Sequence, residues 1–203
     1  MKLKIIGLII VVLLMAAFNS CTGVGTSASW LQIVSLTGKD LDDKDSAIAF
    51  SDVEINGSII NDNGVVNLNA LTLDPLLSEV TPYMDVLVDQ IDVAFRRTDG
   101  LNVEGVDVPY RFTQPMNMLV PINSDLKIPF VLIRHVAKLE APLVALREWT
   151  NQEKILQLVA VVTIHGIDQG GHRVAPVTGY LSIWCSNFAD PEPEPEPAAA
   201  PKI

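Results

Sequence analysis

Positive charge is scarce in this chain, with 14 Lys and Arg against 24 Asp and Glu. No basic block occurs anywhere, so nothing is available to track a phosphate backbone, and nucleic acid is excluded as a partner. An anionic membrane surface repels a chain of this charge, so any membrane affinity has to come from apolar groups. Histidine and cysteine are also sparse, with three and two residues. His135, His165 and His172 are too dispersed for a local metal motif, and a zinc site needs three or four ligands. Only His165 and His172, flanking a predicted hairpin, are expected near each other; the choice there is between a metal and simple turn or surface roles, and no metal or other cofactor is predicted. No serine lies in a G-x-S-x-G setting, which removes the strand-to-helix nucleophile elbow. No internal repeat of fixed period is visible, which disfavours solenoids and propellers.

Long apolar runs are absent except at the start. Lys2 and Lys4 open the chain, and 5–18 is an apolar run without an acidic residue. A spanning helix needs about 20 apolar residues, and this run is followed by small polar residues rather than a basic stop. The layout is that of a cleaved signal peptide over residues 1–20, the alternative being an uncleaved anchor. The 49% apolar content is inflated by this leader. Without Lys2 and Lys4, 12 basic residues face 24 acidic ones, and the remainder is soluble in character.

The stretch Phe18-Asn19-Ser20-Cys21 resembles the cleavage site of bacterial lipoproteins, with a cysteine where a type II signal peptidase cuts. The resemblance implies diacylglycerol on the Cys21 sulfur, cleavage before Cys21 and acylation of the new amine, so that lipidation at Cys21 tethers the chain to a membrane. Thr22 replaces the aspartate that retains such proteins at the inner membrane in enteric bacteria, which points to the outer membrane. Several acyl chains on one residue make a stable anchor, since each buried methylene contributes about 0.8 kcal/mol. If Cys21 is lipidated, Cys185 is left single, either buried and inert or available for pairing between chains. Without lipidation a Cys21–Cys185 disulfide becomes possible. Catalysis by Cys185 with a histidine is disfavoured, because a reactive thiolate needs an exposed, electropositive setting and Cys185 follows Trp184 inside an alternating strand.

Residues 21–29 read as a lipidated flexible spacer and 30–189 as one domain of short strands. Strands are predicted over 30–36, 47–55, 65–73, 86–95, 116–120, 126–132, 155–165 and 174–188. The Asn56-Gly57 and Asn61-Asp62-Asn63-Gly64 stretches predict at least one hairpin between the second and third of these runs. A shift of the alternation at Asp89-Gln90 predicts a bulge. The aspartates of 39–45 invite a calcium reading, but the spacing lacks the EF-hand pattern, so a solvated acidic turn is preferred. Residues 136–149 allow one short helix or an irregular crossover, with Pro142 in a first turn. About eight short strands with frequent turn signals predict an all-β, antiparallel sandwich, with a barrel as the alternative.

The segments RRTDG (96–100), GVDVP (105–109), RHVAKLEAPL (134–143) and GIDQGG (166–171) resemble those of a group of uncharacterised bacterial lipoproteins expected to carry immunoglobulin-like sandwiches. The resemblance implies a fold and lends no activity. Arg96, Arg97 and Asp99 have two readings, a satisfied strand end or a possible interaction edge completed by Arg134 and Lys138. From Asp190 the chain becomes a Pro/Glu tail, expected to be disordered, that at about 3.1 Å per residue reaches roughly 40 Å if extended. Lys202 near its end raises covalent attachment to peptidoglycan, against a simple exposed tail. Together these readings predict a lipid-anchored envelope protein that binds an envelope protein or cell-wall material. The alternative is an envelope enzyme, possibly hydrolytic, built from dispersed carboxylates or histidines.

Overall fold

The computed structural model describes residues 27–74, 76, 79–149 and 154–188. The leader, Cys21 and the Pro/Glu tail lie outside the described residues. The chain forms two sheets, ordered β2-β1-β4-β7 and β3-β9-β8-β5-β6. The strands are β1 Ser29–Lys39, β2 Asp45–Ser46, β3 Ile48–Asp52, β4 Asp62–Thr72, β5 Val86–Arg96, β6 Phe112–Val120, β7 Asp125–Ile133, β8 Leu156–Asp168 and β9 Val177–Ser186. Alternation of buried and more exposed residues along β4 and β8, and along β5 on either side of Asp89-Gln90, explains why they form, since period-two apolar residues line one face of a strand. Leu68, Ala70, Ile128 and Leu132 of the first sheet share one buried cluster with Val88, Ile91, Val162 and Ile183 of the second. The molecule is therefore all-β, with a sandwich-like arrangement.

Among the strand pairings of the two sheets, one departs from the antiparallel pattern. β3 pairs with β9 in parallel, Ile48 opposite Ser182 and Asp52 opposite Ser186. The cause is chain direction. A small hairpin over Lys39–Asp45 reverses the chain into β2, and a bend at Ala47 reverses it again, so β3 runs in the direction of β1 and meets the edge strand β9, which runs the same way. The hairpin expected between the second and third predicted strands is likewise reduced to a tight turn. Asn56 and Gly57, both at positive φ, close Ile55 onto Ser58, but the flanking strands β3 and β4 belong to different sheets. Local turn chemistry shaped the turn, and burial of the two apolar faces chose the partners.

The bulge is where the alternation shifts, with the register of β5 slipping between Val88 and Gln90 against both β6 and β8. The first strand begins at Ser29, inside the stretch read as spacer, because Ser29 Oγ donates to Met84 O at 2.6 Å and Ala28 O accepts from Leu73 N at 2.8 Å. Residues 134–149 hold a four-residue helix α1, His135–Lys138, and a 3-10 turn, Leu143–Glu148, that follows Pro142.

Strand directions define two poles. β1 enters at one, here the entry pole, which carries the described residues between β4 and β5 and the loops 121–124 and 169–176. The far pole carries the loops 40–44, 53–61 and 97–111, together with α1.

Candidate functional site

At the far pole a groove of about 610 Å³ opens between the 40–44 turn, the end of β3 and the start of β4. Its apolar wall comes from Leu41, Phe50, Ile60 and Phe188, and its polar groups include Asp52 and Asp62. Phe50 organises the wall by edge-on contacts to Trp184 and Phe188, with ring centroids 5.5 and 5.7 Å apart. A concave, mostly apolar site with a few convergent polar groups is the usual form of a binding site.

The base of the groove rests on a buried ion pair. Lys138 Nζ lies 2.7 Å from Asp62 Oδ1 and 2.6 Å from Asp52 O, and the Lys138 side chain is wholly buried. Ser51 Oγ donates to the other Asp62 oxygen at 2.5 Å. Burial raises the Asp62 carboxyl above its ordinary range, while the Lys138 ammonium and these hydrogen bonds pull it down. Asp52 Oδ1 accepts from the amides of Glu54 and Phe188, so it ties the end of β3 to the last described residue. Asn61 Oδ1 accepts from His135 N at 2.6 Å, which seats α1 against the same rim. Both carboxylates thus shape the groove while bonded to the protein itself.

The 40–44 turn is organised by its own backbone. Asp40 Oδ1 accepts from Asp42 N and Lys44 N, each at 2.9 Å. Lys39 is held to Asp45 at 3.1 Å, and that hydrogen bond raises its pKa; Lys44 is held to Asp42. Hydrogen bonding within the turn accounts for the aspartates that invited a calcium reading.

The residues of the expected interaction edge divide. Arg96 ends β5, and Arg97 pairs with Asp99 in the next turn, which lowers the Asp99 carboxyl. Arg134 lies 4.5 Å from the centroid of the Phe112 ring. These four residues share the far pole, on the β5 and β7 side. Lys138 does not join them: it is a core residue, and the edge is corrected by its removal. The reason is Asp62, which lies 76 positions away in sequence and supplies the counter-charge that lets an ammonium be buried.

The two expected histidine neighbours are each engaged separately. His165 Nε2 lies 2.9 Å from Asp92 Oδ2, and His172 Nδ1 lies 3.3 Å from Asp168 Oδ1. Burial pushes the Asp92 carboxyl up, but hydrogen bonds from Thr113, Gln90 and His165 outweigh it and hold the group below its usual range. Among the described residues no group of three or more His, Cys, Asp or Glu is placed to hold a metal. Cys185 is fully buried, and burial pushes its thiol up to about 12, so it is inert at neutral pH.

Sequence reasoning missed the groove. Asp62 and Asn61 were read as turn residues, and Phe50 and Phe188 as strand residues. A lysine in an apolar setting, Val136-Ala137-Lys138-Leu139, was the one local sign that a carboxylate had to come from elsewhere. The chain matches no protein-family model, no curated protein and no solved structure.

Proposed function

We propose that this chain is a lipid-anchored binding module of the bacterial cell envelope, tethered through acyl chains on Cys21 at the outer membrane and presenting the far-pole groove to an envelope protein or to cell-wall material. The observation that carries the reading is the position of the groove. It lies at the pole opposite the point where the chain from Cys21 enters β1, so a tethered domain holds it away from the lipid. The sandwich is of the immunoglobulin-like class in this reading. The order β1-β4-β7 in one sheet against β9-β8-β5-β6 in the other supports that class, in which an A-B-E sheet faces a G-F-C sheet that can carry an added strand beyond C.

Hydrolysis by the two groove carboxylates is the weaker reading. Lys138 and Ser51 occupy the Asp62 oxygens, and backbone amides occupy Asp52 Oδ1. A catalytic acid or base has to reach the proton it moves.

In-cell photocrosslinking tests the proposal, with probes at Leu41 and Ile60 in the groove and a comparison probe at Asn117 on exposed β6. A dominant adduct from the groove probes alone is expected. An identical background pattern from all three positions would overturn the groove as the binding surface. Labelled palmitate incorporated undiminished into Cys21→Ser protein would overturn the anchor.

A further inference from the structure

We propose that the entry pole is a membrane-docking surface, seated on the phospholipid interface through an apolar rim of Trp30, Leu73, Leu76, Val80 and Tyr83. The inference rests on the anchoring at Cys21 and adds to it how the domain sits. Leu76 is 89% exposed, Tyr83 72% and Leu73 60%, so large apolar side chains project from this pole with none of the described residues covering them. The 3-10 turn Pro82–Met84 that presents Tyr83 has no buried residue, so it contributes nothing to the core.

The rim is stitched to the incoming chain. Leu73 N donates to Ala28 O, and Ser29 Oγ donates to Met84 O, so the loops at both ends of the rim are bonded to residues 28 and 29. Cys21 precedes Ser29 by eight residues, which span at most about 28 Å fully extended. Acyl chains on Cys21 therefore hold the rim close to the interface. The far end of the 11-residue β1 is about 35 Å further along the strand. Exposed apolar residues of the far pole, such as Val106 at 63%, lack this proximity.

The side-chain chemistry fits the interfacial layer. Trp and Tyr sit at headgroup level, and leucine and valine fill the boundary beneath, about 5–10 Å deep. Asp74 and Glu79 lie on the same loop, and Asp74 Oδ1 accepts from Leu76 N. Two carboxylates keep the contact shallow and favour zwitterionic over anionic lipid. Docking in this way holds the sandwich upright, with the groove facing outward.

Spin-label accessibility on the full-length lipidated protein in phosphatidylcholine vesicles tests this. Cys21 is acylated and Cys185 is buried, so a nitroxide enters only at an introduced cysteine, Leu76→Cys, Tyr83→Cys or Val106→Cys. These positions are exposed, so folding is preserved. Labels at 76 and 83 are expected to collide several-fold more with oxygen, relative to a water-soluble nickel chelate, than the label at 106. Equal chelate access at all three, in protein whose mass carries the acyl chains and which floats with vesicles, would overturn docking and leave the anchor standing. Protein without acyl mass that does not float would overturn the anchor and the docking with it.

Discussion

Replacing Lys138 with methionine removes the buried ammonium bonded to the Asp62 carboxylate while keeping the volume of the side chain. The Lys138 side chain has no exposure and bonds both Asp62 Oδ1 and Asp52 O, so the variant takes one donor from a carboxylate with 16% exposure and one from a backbone carbonyl. Breaking a buried pair by removing one partner costs about 3–5 kcal/mol, and the remaining exposure of Asp62 and its bond to Ser51 place this case near 3. With a urea slope of about 2 kcal/mol/M, the midpoint falls by about 1.5 M. Removing both charges, Lys138→Met with Asp62→Leu, recovers more than half of the loss, because no buried charge remains, although Ser51 loses its acceptor.

The same variant carries a pH signature. In the folded wild type the Asp62 carboxyl is raised, so its protonated form is favoured by folding. That contribution is present below the ordinary carboxylate range and is lost as pH climbs through the raised value. Without Lys138 the carboxyl rises further, so the penalty of Lys138→Met is largest at neutral pH and shrinks on acidification. Urea melts of wild type, both single variants and the double variant at neutral and mildly acidic pH measure this. A Lys138→Met loss under about 1 kcal/mol, or one unchanged by acid, would refute the buried-pair argument.

Two further outcomes follow from the packing. Cys185 in the native protein stays unmodified by thiol reagents at mildly alkaline pH and reacts once denaturant unfolds the chain, which a thiol titration with and without urea reads directly; its buried thiol, pushed up to about 12, supplies no thiolate. Gln114 on β6 exchanges two 2.8 Å hydrogen bonds with the backbone of Val131 on β7, joining the open edges of the two sheets. Gln114→Ala is expected to cost about 1–2 kcal/mol in urea unfolding and to raise self-association measured by light scattering, since it leaves a strand edge unpaired.

Strand positions, the bulge at Asp89-Gln90 and the burial of Cys185 were legible in the chain because they depend on local alternation and on the residue's own polarity. The first strand's true start at Ser29 was not, because the bonds that extend it come from Leu73 and Met84. The candidate edge at Arg96, Arg97, Asp99, Arg134 and Lys138 shows the same division within one site. The Arg97–Asp99 turn is a two-residue matter and could be read directly, whereas the burial of Lys138 depends on a carboxylate in another strand.

The amino-acid order alone therefore determined the all-β class and the acidic balance of charge, each of which follows from nearest neighbours and composition. Tertiary structure decided which strands share a sheet, that β3 runs parallel to β9, and that Asp62, Lys138, Phe50 and Phe188 surround one groove. The physical reason is that period-two burial specifies a strand's inner face but not its neighbour. The neighbour is chosen when two apolar faces close over one core and the few charges caught inside find their partners across the sequence.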